Sequence, residues 1–173
     1  MAQRSFAEAS AGANVGKAIL GGFVGTVLMT ILLYVGPSVG FPPMDLATML
    51  GTLFVRDTNT AFWLGLALHF TMGSVVLAWL YAALYRYLPG PPWVRGTVWG
   101  IGLWLLSQAV VMPLLGSVHP QITAGQMPAP GFFTLNLGVL APIGSLIGHL
   151  VYGATLGAIY GHPEPVREAS YQI

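Results

Sequence analysis

The chain has 173 residues, of which 55% are hydrophobic and only 6% are charged. Because soluble proteins carry about 25% charged residues, this composition excludes an ordinary soluble domain and predicts an integral membrane protein in a lipid bilayer. The formal net charge of +1 provides no basic stripe for nucleic acid, and the absence of cysteine excludes disulfides and thiolate metal sites.

Four segments are long and apolar enough to form membrane-spanning helices: residues 18–39, 60–88, 94–115 and 137–160. A helix needs about 20 mostly apolar residues to cross the hydrocarbon core, and backbone polar groups in lipid must be satisfied within the segment. The predicted fold is therefore all-α, a transmembrane four-helix bundle. It forms one membrane domain over 17–161, between an N-terminal tail at 1–16 and a C-terminal tail at 162–173.

Positive charges favour one side of this domain. Five of the six Lys and Arg residues lie before the first span, beside the turn between the second and third spans, or in the tail: Arg4, Lys17, Arg86, Arg95 and Arg167. The two loops on the other side carry only Arg56. The positive-inside rule therefore predicts that both termini lie in the cytoplasm, an N-in/C-in orientation.

Both loops on that other side are rich in proline and glycine. The first contains residues 44–50, which are predicted to form a short interfacial helix. His119 and His162 lie beside prolines outside the spans. We expect both to be solvated histidines in turns, and neither is a candidate for a site.

The two halves of the domain, about 17–88 and 93–161, resemble copies of one two-helix unit. The matching patterns are Gly21-xxx-Gly25 with Gly96-xxx-Gly100, and His69-xxx-Gly73 with His149-xxx-Gly153. A parallel repeat of this kind, related by an axis along the membrane normal, would place the two histidines at comparable depth. The alternative is chance recurrence of short patterns in a chain with 23 glycines.

Residues four apart share a helical face, and stripes of small residues allow another helix to approach closely. The predicted helix-packing positions are Gly21, Gly25, Gly65, Gly73, Gly96, Gly100, Gly153, Gly157 and Gly161. The chain has more of these small-residue faces than contacts among its own four helices require. The surplus, above all on the fourth span, predicts contact with other membrane subunits or with copies of the same chain.

Ionisable side chains are costly in hydrocarbon, so His69 and His149 are candidate functional residues. One hypothesis is a b-type haem between the second and fourth spans, with both histidines as axial ligands, which would indicate electron transfer. The alternative is that each donates a hydrogen bond across a helix contact, with partners such as Ser107 and Gln108. A proton path would normally include an intramembrane carboxylate, and methionines that could bind copper are more often packing residues.

No nucleophile-base set, phosphate loop or zinc-protease spacing is present, so the chain is predicted not to be an enzyme. The favoured function is an accessory or packing subunit of a larger membrane complex, with no cofactor and no resident metal. The alternatives are an electron-transfer subunit with haem b bound by His69 and His149, and a small permease.

The fourth span, at 148–161, resembles the closing helix of small bacterial four-span membrane proteins of unknown function. The stretch at 21–26 is similar to them in the same sense, and the resemblance covers about residues 17–161. It implies a location in the bacterial cytoplasmic (inner) membrane. It implies no known activity and identifies no functional residue.

Overall fold

A computed structural model describes residues 14–162, and that range contains helices and no strand. Four helical segments are long and apolar enough to cross a membrane, and we number them spans 1 to 4: Val15–Val39, Thr58–Tyr87, Pro92–Val118 and Leu140–Tyr160. The predicted all-α bundle with four spans is confirmed, and the protein is a multi-pass membrane protein. The predicted tails lie outside the described residues except for 14–16 and 162, and helix already begins at Val15.

Spans 1 to 3 are not uniform α-helices. Span 1 is an α-helix at Val15–Val35 that tightens into a 3-10 turn at Gly36–Val39. The segments of span 2 are α-helix Thr58–Thr71, π-helix Met72–Val76, α-helix Leu77–Leu84 and 3-10 turn Tyr85–Tyr87. The segments of span 3 are α-helix Pro92–Leu106, π-helix Ser107–Val111 and α-helix Met112–Val118. Span 4 is one α-helix.

Three short helical elements lie in the connections: α-helix Leu46–Gly51, α-helix Pro120–Thr123 and 3-10 helix Phe132–Leu137. We call the first of them the loop helix, and it confirms the helix predicted at 44–50. Because four spans return the chain to the side where it started, both long connections lie at one end of the bundle, the loop end. The opposite end, called the terminal end, holds Asn14, His162 and the turn at 88–91.

Both aspartates near the spans are helix caps. Side-chain oxygens accept backbone N–H groups at three N-termini: Asn14 from Lys17 at 3.0 Å, Asp45 from Thr48 at 2.9 Å and Asp57 from Thr60 at 2.8 Å. The hydrogen bond from the Thr60 backbone lowers the pKa of Asp57. Both carboxylates therefore have a structural role as N-caps of helices at the loop end.

Spans 3 and 4 make the closest contact in the bundle. A Cβ atom added at Gly96 would overlap the carbonyl oxygen of Gly153, and one added at Gly100 would overlap that of His149. Gly157 continues the same contact, because a Cβ there would overlap the carbonyl oxygen of Pro92. Two backbones can touch in this way only where both helices lack side chains.

Span 1 packs between spans 2 and 4, and span 4 packs between spans 1 and 3. A Cβ atom at Gly21 or Gly25 would meet a carbonyl oxygen of span 4 at 3.0 Å or less. Gly22, one position along, lies against Gly73 of span 2. The glycine pairs of spans 1 and 3 therefore both face span 4.

Two predicted packing positions have a different role from the one expected. Gly65 does not face another span; it accommodates the loop helix, because a Cβ there would overlap the carbonyl oxygen of Ala47. Gly161 contacts no other span among the described residues. This residue ends span 4 with φ of +64° and nothing within 4 Å of an added Cβ, so it is a helix terminus rather than a packing surface.

The terminal end of the bundle is closed by aromatic rings. Tyr81, Tyr85 and Tyr160 are buried, with ring centroids 4.9 to 5.8 Å apart. The guanidinium of Arg95 lies 4.4 Å from the ring centroid of Tyr85. Because glycine contacts and packed aromatic rings hold the spans together here, the space between the spans lies towards the loop end.

We predict that Gly96→Ala lowers the free energy of unfolding by about 2 kcal/mol or more, because the new methyl group forces the backbones of spans 3 and 4 apart. The measurement is a dodecyl sulfate titration of the purified protein in mild detergent, followed by tryptophan fluorescence. Gly102→Ala is the matched control on the same span, since nothing lies within 4 Å of its added Cβ. It should be neutral or stabilising by up to about 1 kcal/mol. Equal effects of the two substitutions would contradict the close contact.

Candidate functional site

A cavity of about 180 Å³ lies at the loop end, between spans 1, 3 and 4. Its walls are apolar and include Leu32 and Val35 of span 1, Leu140 and Ile147 of span 4, and Phe41 of the first connection. None of the described residues that line it is Asp, Glu, Lys or Arg. The cavity is therefore suited to an uncharged molecule.

Five polar residues also line this cavity, and we call them the polar floor: His69, Ser107, Gln108, Ser145 and His149. They come from spans 2, 3 and 4. Both histidines singled out in the sequence are thus brought to one cavity. Ligand sites in proteins commonly combine mostly apolar walls with a few such polar groups.

A chain of hydrogen bonds links the polar floor to the second connection. The Gln108 Nε2 atom donates to Ser145 Oγ at 2.9 Å, and the Thr134 hydroxyl donates to Gln108 Oε1 at 2.9 Å. The His149 Nδ1 atom lies 2.8 Å from the Ser145 carbonyl oxygen. Because a carbonyl only accepts, Nδ1 carries the proton, and Nε2 presents a lone pair that has no partner among the described residues.

The π-helix at Ser107–Val111 positions Gln108. It ends two residues before Pro113, which has no N–H to donate to a carbonyl of the preceding turn, and a wider turn adjusts the helix around such a position. Gln108 is 1% exposed there and has partners on both ends of its amide. A glutamine buried in lipid requires such partners, because an unsatisfied amide is costly.

The partner Thr134 has an unusual backbone. Phe133 and Thr134 have φ of +51° and +52°, a region that β-branched and bulky residues rarely adopt. The Phe133 ring packs edge-on against Trp104 with centroids 5.4 Å apart, while Thr134 bonds to Gln108. Strained residues of this kind persist only where surrounding contacts hold them, and they are concentrated at functional sites.

His69 lies between the large cavity and a second one of about 10 Å³, which it lines together with Thr30. The His69 Nε2 and Thr30 Oγ1 atoms are buried and lack hydrogen-bond partners within the described part of the chain. A cavity of about 10 to 15 Å³ is the size of one water molecule, which would satisfy both atoms.

The two histidines lie at comparable depth. The Tyr152 hydroxyl of span 4 donates to the Gly73 carbonyl oxygen of span 2 at 2.7 Å. His149 and His69 each lie about one helical turn from these residues, on the side of the loop end. Over residues 14–162, neither histidine forms the predicted hydrogen bond across a helix contact, since His149 bonds within its own helix.

The cavity does not fit the haem considered from the sequence. An apolar cavity of about 150 Å³ holds one benzene ring, and this one is close to that size at about 180 Å³, whereas a porphyrin is far larger. The lining residues that the structure describes also include no cation to pair with haem propionates. The site provides two imidazoles without the space or the charge that a haem requires.

The expectation for His119 was wrong. This residue is fully buried at the loop end, where its Nε2 donates to the Met49 carbonyl oxygen at 2.9 Å and lies 3.1 Å from Thr52 Oγ1. Its Nδ1 accepts the Gln121 backbone N–H at 3.2 Å, so both ring nitrogens have partners. His119 fastens the second connection to the loop helix. His162 is exposed, as expected.

Thr134 and Ser145 were not among the predicted site residues. Ser145 carries a weak signal, because it lies four residues before His149 on the same helical face. Thr134 carries none, because its contact with Gln108 depends on a left-handed backbone and on a connection that folds back against span 3. Its position is fixed by tertiary structure alone.

The chain belongs to a family of unknown function (DUF6789), whose model matches residues 12–170. No curated protein and no solved structure is significantly similar to it. The resemblance to a family of unknown function is confirmed.

We predict that Thr134→Val weakens the second connection, because it removes the hydroxyl from Gln108 while keeping the side-chain shape. Amide hydrogen exchange at 131–138 should become about tenfold faster, as expected for the loss of one buried hydrogen bond. Thr134→Ser keeps the hydroxyl and is the matched control. Similar exchange in both variants would show that the hydroxyl does not hold this connection.

A second expectation concerns the buried histidine. His119→Leu should lower the free energy of unfolding by about 1 to 3 kcal/mol, because it removes the hydrogen bond to the Met49 carbonyl and leaves the Gln121 N–H without an acceptor. The measurement is the same detergent titration. His162→Leu, at the exposed histidine of the terminal end, should leave stability unchanged, and comparable losses in both variants would refute the buried role of His119.

Proposed function

We propose that this protein is a non-enzymatic integral membrane protein that binds a lipophilic small molecule in the cavity at the loop end. The observation that carries this proposal is a mostly apolar cavity of about 180 Å³ with five polar side chains in its lining. A molecule with a small polar group and an apolar body matches both parts.

The exposed wall residues of the cavity favour entry of a ligand from the lipid. Four residues of its walls are also exposed on the outer surface of the bundle: Leu32 by 39%, Val35 by 52%, Leu140 by 43% and Ile147 by 41%. In a bilayer these side chains face hydrocarbon. A lipophilic molecule would therefore pass between spans 1 and 4 without crossing water.

The non-enzymatic part of the proposal is based on the chemistry of the polar floor. A histidine that acts as a general base is usually oriented by a carboxylate, and none of the described lining residues supplies one. The His149 Nδ1 proton is directed to a backbone carbonyl instead. This arrangement suits recognition of a ligand by hydrogen bonding.

The accessory-subunit hypothesis loses its original basis. Gly153, Gly157 and Gly161 were expected to form a free face, but span 3 covers the first two. Association with other membrane subunits or with a second copy stays a prediction. A small permease is disfavoured, because Tyr81, Tyr85 and Tyr160 close the terminal end below the cavity.

We also propose that the terminal end faces the cytoplasm. Lys17, Arg86 and Arg95 lie at this end of the described chain, whereas Arg56 lies at the loop end. By the positive-inside rule, both termini are then cytoplasmic and the cavity opens into the outer leaflet. The resemblance to bacterial four-span proteins supports a location in the bacterial cytoplasmic membrane.

The test uses Ala141→Trp, which places an indole in the cavity from span 4. Tritiated 4-decylphenol, a ring with one hydroxyl and a hydrocarbon tail, should bind saturably to the wild-type protein in phosphatidylcholine nanodiscs. Binding should fall at least tenfold in Ala141→Trp, because the ring and the indole compete for one space. Ala158→Trp adds the same bulk at an exposed position of the same span and should bind normally. Equal binding by both variants would refute the cavity as the site.

A further inference from the structure

We infer that the natural ligand is a quinone or its quinol, a single neutral ring that carries oxygen atoms and a hydrocarbon tail. This inference is based on the proposed function, since it names the chemical class of molecule that the same cavity takes. Four features support it: the size of the cavity, its charge, its hydrogen-bonding groups and its opening.

Size limits the part of the ligand that is held inside. Because a cavity of about 150 Å³ binds benzene, one of about 180 Å³ accommodates one six-membered ring with small substituents. The fused rings of a sterol exceed this space. A long chain must therefore lie outside the cavity.

Charge excludes the commonest membrane lipids. None of the described lining residues is Lys or Arg, so a phosphate or a carboxylate would be buried without a cation. Such burial is strongly unfavourable. The polar group that enters the cavity is therefore neutral, as the oxygens of a quinone or a quinol are.

The hydrogen-bonding groups match a ligand that both accepts and donates. The His149 Nε2 lone pair can accept a hydrogen bond from a quinol hydroxyl, because Nδ1 already carries the ring proton. Ser145 Oγ accepts from Gln108, which leaves the Ser145 hydroxyl proton for a quinone carbonyl. The polar floor can therefore serve both forms of the ring.

The number of polar groups also favours a ring with more than one oxygen. His69, Ser107 and Ser145 belong to three different spans and border the same cavity. A single hydroxyl group would use only part of this surface. Oxygen atoms at two positions of one ring can contact polar groups on different spans.

The opening accounts for the tail. Val35, Leu140 and Ile147 line the cavity and are exposed on the surface that faces lipid. A hydrocarbon tail attached to the ring would pass between spans 1 and 4 and continue into the bilayer. The ring alone would then occupy the cavity, in agreement with its size.

The experiment compares three probes in phosphatidylcholine nanodiscs: a benzoquinone with a ten-carbon tail, 4-decylphenol and decylbenzene. We expect the benzoquinone to bind at least tenfold more tightly than decylbenzene, and more tightly than 4-decylphenol. Ser145→Ala and His149→Leu should each weaken benzoquinone binding about five- to tenfold, as expected for one lost hydrogen bond, without changing decylbenzene binding. His162→Leu, far from the cavity, should bind like the wild type.

A second measurement uses the wild-type protein and so does not depend on variants that fold. Reduction of the bound benzoquinone to the quinol should shift the imidazole ¹⁵N resonance of His149 Nε2, because this nitrogen then accepts a hydrogen bond. An unchanged resonance overturns the assigned contact.

The outcomes separate the inference from the proposed function. Equal affinities for benzoquinone and decylbenzene, or for benzoquinone and 4-decylphenol, would overturn the quinone while leaving a lipophilic ligand in place. Saturable binding of none of the three would overturn both.

Discussion

The direct backbone contact of span 4 with its neighbours determines most of this structure. Gly96 and Gly100 of span 3 face Gly153 and the His149 carbonyl, so the two helices are held at a separation that no side chain could allow. Span 1 approaches span 4 through glycines on the other side. Because span 4 is thus fixed from two directions, the height of His149 follows from backbone packing, while the bond from Nδ1 to the Ser145 carbonyl orients the imidazole.

The loop end is held together by different means, and the cavity is a consequence. There the loop helix packs on span 2 at Gly65, and His119 joins it to the second connection. Thr134 reaches Gln108 from a strained backbone, so the polar floor is fastened to the second connection. The groups that remain, the His149 Nε2 lone pair and the Ser145 hydroxyl proton, are directed to no protein partner within the described range.

Sequence patterns anticipated the spans and the closest contacts, because hydrophobic length and small-residue spacing act locally along a helix. They could not determine which element each stripe faces: Gly65 meets the loop helix and Gly161 meets nothing. They also misassigned His119, because its burial depends on a connection folding over the loop helix. Thr134 could not be predicted at all, since nothing in its neighbours specifies a positive φ.

His69 and His149 share the pattern His-xxx-Gly but differ in their hydrogen-bond partners, because the residue four positions before each of them differs. In span 2 the position four residues before His69 is Gly65, and the loop helix occupies that face. In span 4 the corresponding position is Ser145, whose hydroxyl accepts Gln108 and whose carbonyl fixes the proton of His149. The two imidazoles border the same cavity, and a duplicated packing motif as the origin of this pairing stays a prediction. Because span 4 has a serine at the position where span 2 has a glycine, a hydroxyl and an imidazole of the same helix line the cavity together, and the proposed recognition of a ring oxygen depends on this pair.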